Sequence, residues 1–424
     1  MTWTAGLIVQ CAAALATTPA AAQPLGERVT AAGSGDVRVH YATRPGVCGD
    51  GRTFVAVGEN ASYFEAEGGH GFGRMGRGTR CAPGPSRVTF TLDAGRPTRL
   101  RVRVGGADAA TARDLGEVPA AEAGAYFLSL ARSAGAPVAR QALLAAVVAD
   151  DFDAAPGLAE LLADAGRPDG VRAMAAHWLA AVAGEAAVPA LDRAAADGRA
   201  PRAVREAAMA SLADQGEEAG VTALVRHIDG ADLGTARRAA FWLGQSERPR
   251  AHAVLRALAD RPGADRALRG EAIFALGHGA MVEGDAEFLR ALYARLDDDG
   301  LRERVLQSVA ETDGEEGGTW LLGIARDERA SLEQRKKALF WAGQGEATPT
   351  ARLVEAYRAM RDPALREHAI FVLSQRDDDA ALDALIEIAR RDPDRSLRKK
   401  ALFWLGQKDD PRAEALIREL VLGQ

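Results

Sequence analysis

Histidine is the side chain most used in catalysis and metal binding, and the seven histidines of this 424-residue chain are scattered along it. None has a cysteine or carboxylate partner at metal-ligand spacing. HExxH, GxSxG and the P-loop are absent. The aspartate runs Asp297–Asp299, Asp377–Asp379 and Asp409–Asp410 lack the alternating spacing of a calcium loop and are typical of helix starts. The sequence therefore predicts no catalytic, cofactor-binding or metal-binding residue, and we expect a protein that is not an enzyme.

One segment, Gly71–Gly76, matches the dinucleotide-binding spacing GxGxxG by letter. That motif binds pyrophosphate only when a buried strand precedes it and a helix N-terminus follows it. Here Gly68, Gly69 and His70 precede the segment, and prolines follow at Pro83 and Pro85. The context predicts that the match is coincidental.

The first residues have the composition of a secretory leader. An apolar run from Ala5 to Ala16 is followed by Ala20–Ala22, the small residues that signal peptidase requires, although no Lys or Arg precedes the run. We expect residues 1–22 to be a signal peptide cleaved before Gln23, and the protein to be periplasmic or secreted. No later segment has the roughly 20 uninterrupted apolar residues of a membrane helix, so no transmembrane anchor is expected.

Two cysteines, Cys48 and Cys81, remain after the leader. An even number in an exported protein predicts a disulfide, with two free buried thiols as the alternative. The bond would close the Gly- and Arg-rich stretch from Gly68 to Pro85, which is expected to be a long loop.

Strand-like stretches occupy the region between residues 36 and 105. They alternate β-branched or apolar residues with polar ones and are separated by Gly and Pro: Val37–Tyr41, Thr53–Val57, Val88–Leu92 and Leu100–Val104. Residues 23–110 are therefore predicted to form a small β-rich domain.

A repeat with a period of about 32 residues begins after residue 123. Leu397–Gln407 is matched closely by Gln334–Gln344 and Thr235–Gln245. Weaker copies begin at Leu365, Leu301, Leu268, Val204, Val171 and Val138. Each copy has apolar residues at helical spacing, and a second helical pattern such as Leu382, Leu385, Ile386 and Ala389 lies between copies. Residues 123–424 therefore predict about nine stacked helical hairpins.

These copies resemble the HEAT-like repeats, in particular the short bacterial class named after phycobilisome lyases. The resemblance rests on an apolar residue, Arg, two variable residues, Ala and a Leu-Gly end, as at Leu397, Arg398, Ala401, Leu405 and Gly406. It implies an all-α, right-handed α-α superhelical solenoid, here preceded by the small β-rich domain. Such repeats serve as scaffolds for many partners, and few members are enzymes.

One enzymatic group with similar helices, the deoxyhypusine hydroxylases, holds a di-iron centre with repeated His-Glu pairs near the helix starts. The corresponding positions here include Lys399–Lys400, Lys336–Lys337 and Arg237–Arg238. Glu367–His368 is a single pair in reversed order, too few ligands for two metals. A metal-dependent enzyme that uses this pair is the alternative to a non-catalytic scaffold.

Arginine recurs at the second position of most copies, and aromatic residues recur later in them. The arginines are expected to form a structural ladder by bonding to an acidic residue such as Asp392 or Asp362, or to a free carbonyl: Arg172, Arg205, Arg269, Arg302, Arg335, Arg366 and Arg398. The tryptophans are expected by default to lie in the core, with the alternative that they anchor a partner: Trp178, Trp242, Trp341 and Trp404. A phenylalanine precedes each of the last three, and core is the default for that column too.

The formal charge of −6 and the interleaving of acidic and basic residues give no basic footprint for nucleic acid, so no nucleic-acid binding is expected. The whole pattern predicts an exported repeat scaffold, without cofactor, that binds a protein or peptide partner. A purely structural envelope spacer is a further alternative.

Overall fold

The computed structural model describes residues 23–57, 61–66, 69–73, 81–105, 111–214, 218–230, 232–280 and 282–422. The predicted leader, residues 1–22, lies outside them. The chain divides into two compact units, with the boundary between Ser211 and Leu212.

The first unit begins with a short helix, α1 (Leu25–Ala31), and a set of strands that form two four-stranded sheets. One sheet has the order β7-β6-β1-β8, and the other the order β2-β3-β4-β5. The strands are β1 (Gly35–Tyr41), β2 (Val47–Gly49), β3 (Phe54–Val57), β4 (Ala61–Ala66), β5 (Gly69–Gly73), β6 (Ser86–Asp93), β7 (Arg96–Val104) and β8 (Arg113–Glu117).

The first sheet has one buried and one solvated face, as the alternating sequence predicts. Its inner face carries buried apolar residues: Val37, Val39, Tyr41, Val88, Phe90, Leu92, Leu100, Val102 and Val104. Phe90 stacks on Phe127 of the first long helix at 5.7 Å between ring centroids, and the Tyr41 hydroxyl donates to the carbonyl of Ala145 at 2.7 Å. The β-rich segment is therefore continuous with the core of the helices that follow it.

Cys48 and Cys81 form a disulfide with a Cα–Cα distance of 5.2 Å, which joins β2 to the segment before β6. The expectation that Gly68–Pro85 is one long loop is wrong in part. Gly69–Gly73 forms β5, which pairs antiparallel with β4. The GxGxxG match begins within this strand, and its last three residues lie outside the described ones.

From Ala120 onward helices alternate along the chain as the first and second helices of successive repeats. The first helices are α2 (Ala120–Ser133), α4 (Ala155–Ala163), α6 (Val188–Ala196), α8 (Ala219–Gly230), α10 (Pro249–Ala259), α12 (Asp285–Arg295), α14 (Gly314–Arg326), α16 (Thr350–Ala359), α18 (Asp379–Arg391) and α20 (Pro411–Ile417). The second helices are α3 (Ala136–Val147), α5 (Asp169–Ala183), α7 (Arg202–Asp214), α9 (Leu233–Gly244), α11 (Arg266–His278), α13 (Asp299–Thr312), α15 (Leu332–Gln344), α17 (Pro363–Ser374) and α19 (Arg395–Leu405).

The repeat starts found in the sequence coincide with the second helices. Each start, from Val138 to Leu397, is the third residue of its helix. In the second unit the residue three positions before the start is a side-chain N-cap that accepts a backbone N–H, at Asp232, Asp265, Asp298, Ser331, Asp362 and Asp394. Asp378 and Asp410 cap α18 and α20 in the same way, so the aspartate runs mark helix starts.

Helical hairpins stack in the second unit, which gives it a solenoid architecture. Each first helix from α8 to α18 contacts the second helix that follows it, and the second helices α9, α11, α13, α15, α17 and α19 contact one another in order. Small and branched side chains such as Ala239, Ile273, Val305, Leu339 and Leu373 fill the space between them and are buried.

A histidine in the first unit makes stability depend on pH. Burial lowers the pKa of His177, on α5, from its ordinary value of 6.5 to about 4. Between these values the unfolded chain binds a proton that the folded protein does not, so stability falls as the pH falls from 6.5 to 4. The slope for this one proton is up to about 1.4 kcal/mol per pH unit. We expect His177→Gln to remove it, measured as a smaller difference between pH 7.5 and pH 5 in urea unfolding midpoints. Equal pH profiles for the two proteins would contradict this assignment.

Candidate partner-binding surface

The second helices of the second unit lie side by side and present one surface, here called the second-helix face. It consists of the outward side chains of α9, α11, α13, α15, α17 and α19. In these six helices equivalent positions recur at the repeat period, so each position forms a column across the surface. Three columns determine its chemistry: a glycine column, an aromatic column and a charged column.

Glycines near the helix ends set how closely neighbouring second helices approach. A Cβ added at Gly244 would lie 2.7 Å from the Cβ of Ala275 on the next helix. The same addition at Gly277 would overlap Ser308, and at Gly343 it would overlap Val372. At these three positions only glycine leaves room for the side chain of the next repeat, whereas a Cβ at Gly406 would meet no atom closer than 3.4 Å.

The tryptophans lie at the repeat position equivalent to the residues that the glycines contact. Trp242, Trp341 and Trp404 are equivalent to Ala275, Ser308 and Val372 and are half-buried. The ring of Trp404 lies 5.5 Å from the ring of Phe371, on the preceding second helix α17, between centroids. This position lies between repeats. It therefore favours the hypothesis that the tryptophans pack in the core over the hypothesis that they anchor a partner.

Trp178 requires a correction as a candidate partner-binding residue. It is fully buried, with 0% of its surface exposed, in the core of the first unit. Such a side chain touches no partner while the unit is folded. A tryptophan recurs at this repeat position because of packing. The sequence alone could not show this, because buried and exposed positions both repeat with the same period.

A column of phenylalanines lies one residue before the tryptophan position. Phe403 is 57% exposed, and the equivalent residues are half-buried: Phe241, Phe274, Phe340 and Phe371. Phe241, Phe340 and Phe403 each meet the neighbouring Trp edge-to-face at 5.2 Å, which fixes their orientation. The expectation that this column lies in the core is therefore wrong for Phe403. A signal was present in the sequence, because four of the five Phe lie four residues after a charged residue and so share its face of the helix.

Charged residues join neighbouring second helices in a register that repeats. In each ion pair, one partner lies two positions after a repeat start. The other lies on the next second helix, three positions after the start of that repeat. The pairs are Arg237–Glu271 at 2.8 Å, Glu303–Lys337 at 2.6 Å and Glu367–Lys400 at 2.8 Å. Each is partly exposed, so each contributes at most about 1 kcal/mol to stability.

Two other neighbouring pairs of helices depart from this ion-pair pattern. Between α11 and α13 the first position is Gly270, and the Arg304 guanidinium lies over the Phe274 ring at 5.5 Å. Between α15 and α17 the positions hold Lys336 and His368. Burial and the Lys336 charge lower the pKa of His368, so this imidazole is neutral over more of the physiological range.

Glu367 and His368 do not form a metal site with other residues. Glu367 is paired with Lys400, and the His368 ring lies 5.7 Å from the Phe371 ring between centroids. Throughout the described ranges no group of three or more His, Cys, Asp or Glu is placed to hold a metal ion.

The recurring arginines bond mainly to carbonyls at the ends of first helices. Arg172, Arg269 and Arg335 each donate from Nε at 3.0 Å to the carbonyl ten residues earlier, of Leu162, Ala259 and Ala325 respectively. Arg205 and Arg398 donate to the carbonyls of Ala200 and Asp392 at 2.8 and 2.6 Å. These carbonyls have no partner within their own helices, and a cation at a helix C-terminus is favourable. That the ladder stabilises the fold stays a prediction.

The two acidic partners named for this ladder have different roles. Asp392 accepts from Arg366 of the preceding repeat and from the Tyr357 hydroxyl at 2.5 Å. Asp362 instead caps α17 by accepting the backbone N–H groups of Ala364 and Leu365. Arg302 lies 3.4 Å from Asp299 and 5.9 Å from the centre of the Tyr293 ring.

A groove of about 480 Å³ lies on the first helices α12 and α14, away from the columns just described. Its walls include Arg290, Glu315, Glu316, Thr319 and Trp320. Among the described residues, one helical stretch, Asp169–Ala196, is long and apolar enough to cross a membrane, and half of its most apolar window is buried in the fold. Buried core helices pass the same test.

No protein-family model and no curated protein match this sequence. Several solved structures resemble it. Human deoxyhypusine hydroxylase in complex with glycerol is 18% identical, with 59% of this chain and 94% of that chain covered and a TM-score of 0.26. The CpcE–CpcF complex of phycocyanin lyase from Nostoc sp. is 18% identical, with 56% and 96% covered and a TM-score of 0.26.

Kap121p bound to Pho4p is 14% identical, with 68% of this chain covered and a TM-score of 0.39. The match covers 37% of Kap121p. At these identities and TM-scores the likenesses carry no argument about function. The recurring hairpins of this chain, with their shared caps, glycines and arginines, make it a repeat scaffold of HEAT-like helical fold.

Proposed function

We propose that this chain is an exported, non-catalytic scaffold that binds a protein or peptide partner on the second-helix face, built from repeats of the short bacterial HEAT-like class. The observation that carries the proposal is the column of exposed and half-buried phenylalanines across five of six neighbouring helices. Aromatic side chains held by their neighbours make good anchors, since little conformational freedom is lost on binding.

The charge beside this column indicates the chemistry of the partner. The two positions of the charged column hold seven Lys or Arg and three Glu over the six helices, whereas the whole chain has a formal charge of −6. Lys399 and Arg304 are exposed. An acidic peptide with apolar side chains complements this surface, because carboxylates meet the cations while apolar groups cover the phenylalanines.

The alternative of a metal-dependent enzyme would require Glu367 and His368 to leave their present contacts and to gain ligands from elsewhere. No specific observation favours it. Iron or zinc at one or more equivalents per chain in the purified protein, measured by elemental analysis, would overturn the non-catalytic proposal.

The test is capture of a partner from an envelope extract of the source cells by the chain from Gln23 onward. Once the captured protein is identified, its affinity is measured for the wild type and for Phe340→Ser/Phe403→Ser. We expect the double variant to bind at least tenfold more weakly, since one aromatic anchor contributes about 2 kcal/mol or more.

Phe288→Ser is the matched control. Phe288 is also half-buried, but it lies on the first helix α12, beside Arg295. The control should bind as the wild type does, and circular dichroism should show all three proteins folded. Equal loss in both variants, or unchanged binding by the double variant, would exclude the phenylalanine column as the binding surface.

A further inference from the structure

The outer face of the first sheet carries arginine and threonine where the inner face carries apolar residues. On β7 the outward residues are Arg99, Arg101 and Arg103. Their partners on β6 are Thr91, Thr89 and Arg87, which in turn lie beside Asp36, Arg38 and His40 of β1. Outward residues two apart on a strand are separated by about 7 Å, so the three arginines of β7 form a row roughly 14 Å long.

Several of these groups are already engaged. Arg38 donates to Asp114 at 3.0 Å, the Thr91 hydroxyl donates to Asp36 at 2.8 Å, and Arg87 donates to the carbonyl of Gly105. Arg99 is exposed and has no charged or hydrogen-bonded partner among the described residues. The Nε of Arg103 is buried and has no acceptor there. Buried donors are normally satisfied, so an unpaired buried nitrogen is unusual, and the same side chain lines a groove at this surface.

A groove of about 270 Å³ runs between these side chains. Its walls include Asp36, Thr89, Thr91, Arg99, Arg101 and Arg103. Sites for drug-sized ligands occupy about 300–1,000 Å³, so this groove fits a smaller group. Residues 23–118 contain 13 Arg and 10 Asp or Glu, a formal charge of +3 within a chain of −6, so the field here attracts anions.

The arginine, aspartate and threonine side chains of the groove limit the chemical class of its ligand. The arginine guanidiniums match a carboxylate in a two-bonded geometry. Asp36 in the same wall accepts hydrogen bonds only and repels a bare anion, whereas it suits a ligand that also carries hydroxyl groups. The outward residues of β1, β6 and β7 include no Phe, Tyr or Trp to stack a nucleic-acid base and no large apolar side chain to enter a membrane.

We propose that this groove binds an acidic sugar residue of the uronate type, with its carboxylate on Arg99 and its hydroxyls on Asp36 and the threonines, while Arg103 meets the carboxylate of a further residue of the same oligomer. The site lies on the β-sheet and is independent of the second-helix face. It would give the chain a second attachment, to an acidic polysaccharide, besides the proposed protein partner.

The test is calorimetric titration of the chain from Gln23 onward, at low ionic strength, with an oligomer of galacturonic acid. A glucose oligomer of equal length, inorganic phosphate and a single-stranded oligonucleotide serve as comparison probes. We expect binding of the uronate oligomer, no heat from the glucose oligomer, and a loss of at least tenfold in affinity in Arg99→Gln/Arg103→Gln and in the exposed single variant Arg99→Gln.

Arg96→Gln is the matched control, because Arg96 is exposed on the same strand but outside the groove. It should keep the wild-type affinity. No binding of the uronate oligomer, equal affinity in the double variant, or tighter binding of phosphate or of the oligonucleotide would each overturn the proposal.

Discussion

Replacing Trp178 by alanine is expected to lower the free energy of unfolding of the first unit by about 3–5 kcal/mol. The side chain is among the largest fully buried ones, and no small rearrangement of the surrounding α5 residues fills the volume of an indole ring. Urea unfolding followed by circular dichroism measures the loss, with the midpoints of the two units resolved where they differ.

Trp341→Ala is the comparison for this result. Trp341 is half-buried and lies at the edge of the contact between second helices, so we expect a cost of about 1–3 kcal/mol, within the ordinary range of point substitutions. If the two variants were destabilised equally, the different burial of the two tryptophans would not hold in solution.

The second large effect is expected for Asp285→Ala, at about 3–5 kcal/mol in the second unit. His252 is fully buried, and its Nδ1 contacts the Asp285 carboxylate while its Nε2 lies 2.8 Å from the carbonyl of Ser246. Arg256 lies 3.3 Å from the same carboxylate. Removal of the carboxylate therefore takes away the partner of the buried imidazole and the counter-charge of Arg256 together.

Asp260→Ala is the control for this pair. Asp260 also pairs with an arginine, Arg295, at 3.1 Å, but both side chains are nearly half exposed. Solvent screens this ion pair, so its loss should cost no more than about 1 kcal/mol. Comparable losses in the two aspartate variants would show that the buried contacts of Asp285 with His252 and Arg256 are no stronger than an exposed ion pair.

The sequence predicted local structure well because its signals are local. The apolar spacing places the nine second helices, Asp or Ser caps mark the starts of the six in the second unit, and each repeat start is the third residue of its helix. The strand predictions rest on the same kind of signal, alternation over four to nine residues. Four strands of the described residues were not predicted: β2, β4, β5 and β8. Gly69–Gly73, for example, has no apolar alternation and becomes a strand only by pairing with β4.

The candidate surface was harder to predict, because exposure depends on contacts between repeats. Phe403 and Trp404 are adjacent in sequence and equally apolar, yet the phenylalanine is 57% exposed while the tryptophan packs towards Phe371. The sequence showed that both columns recur. Which of them faces solvent depends on how far one helix is rotated against the next.

The sequence by itself determined the repeat period, the starts of the nine second helices, four of the eight described strands and the two cysteines, since propensity, capping and alternation act over a few residues. The tertiary structure alone decided that Glu367 pairs with Lys400, that Gly343 admits Val372, and that Arg99 and Arg103 share a groove with Asp36. These contacts join residues 29 to 67 positions apart in the chain. Their energy depends on distance and burial in space, which no short segment of sequence encodes.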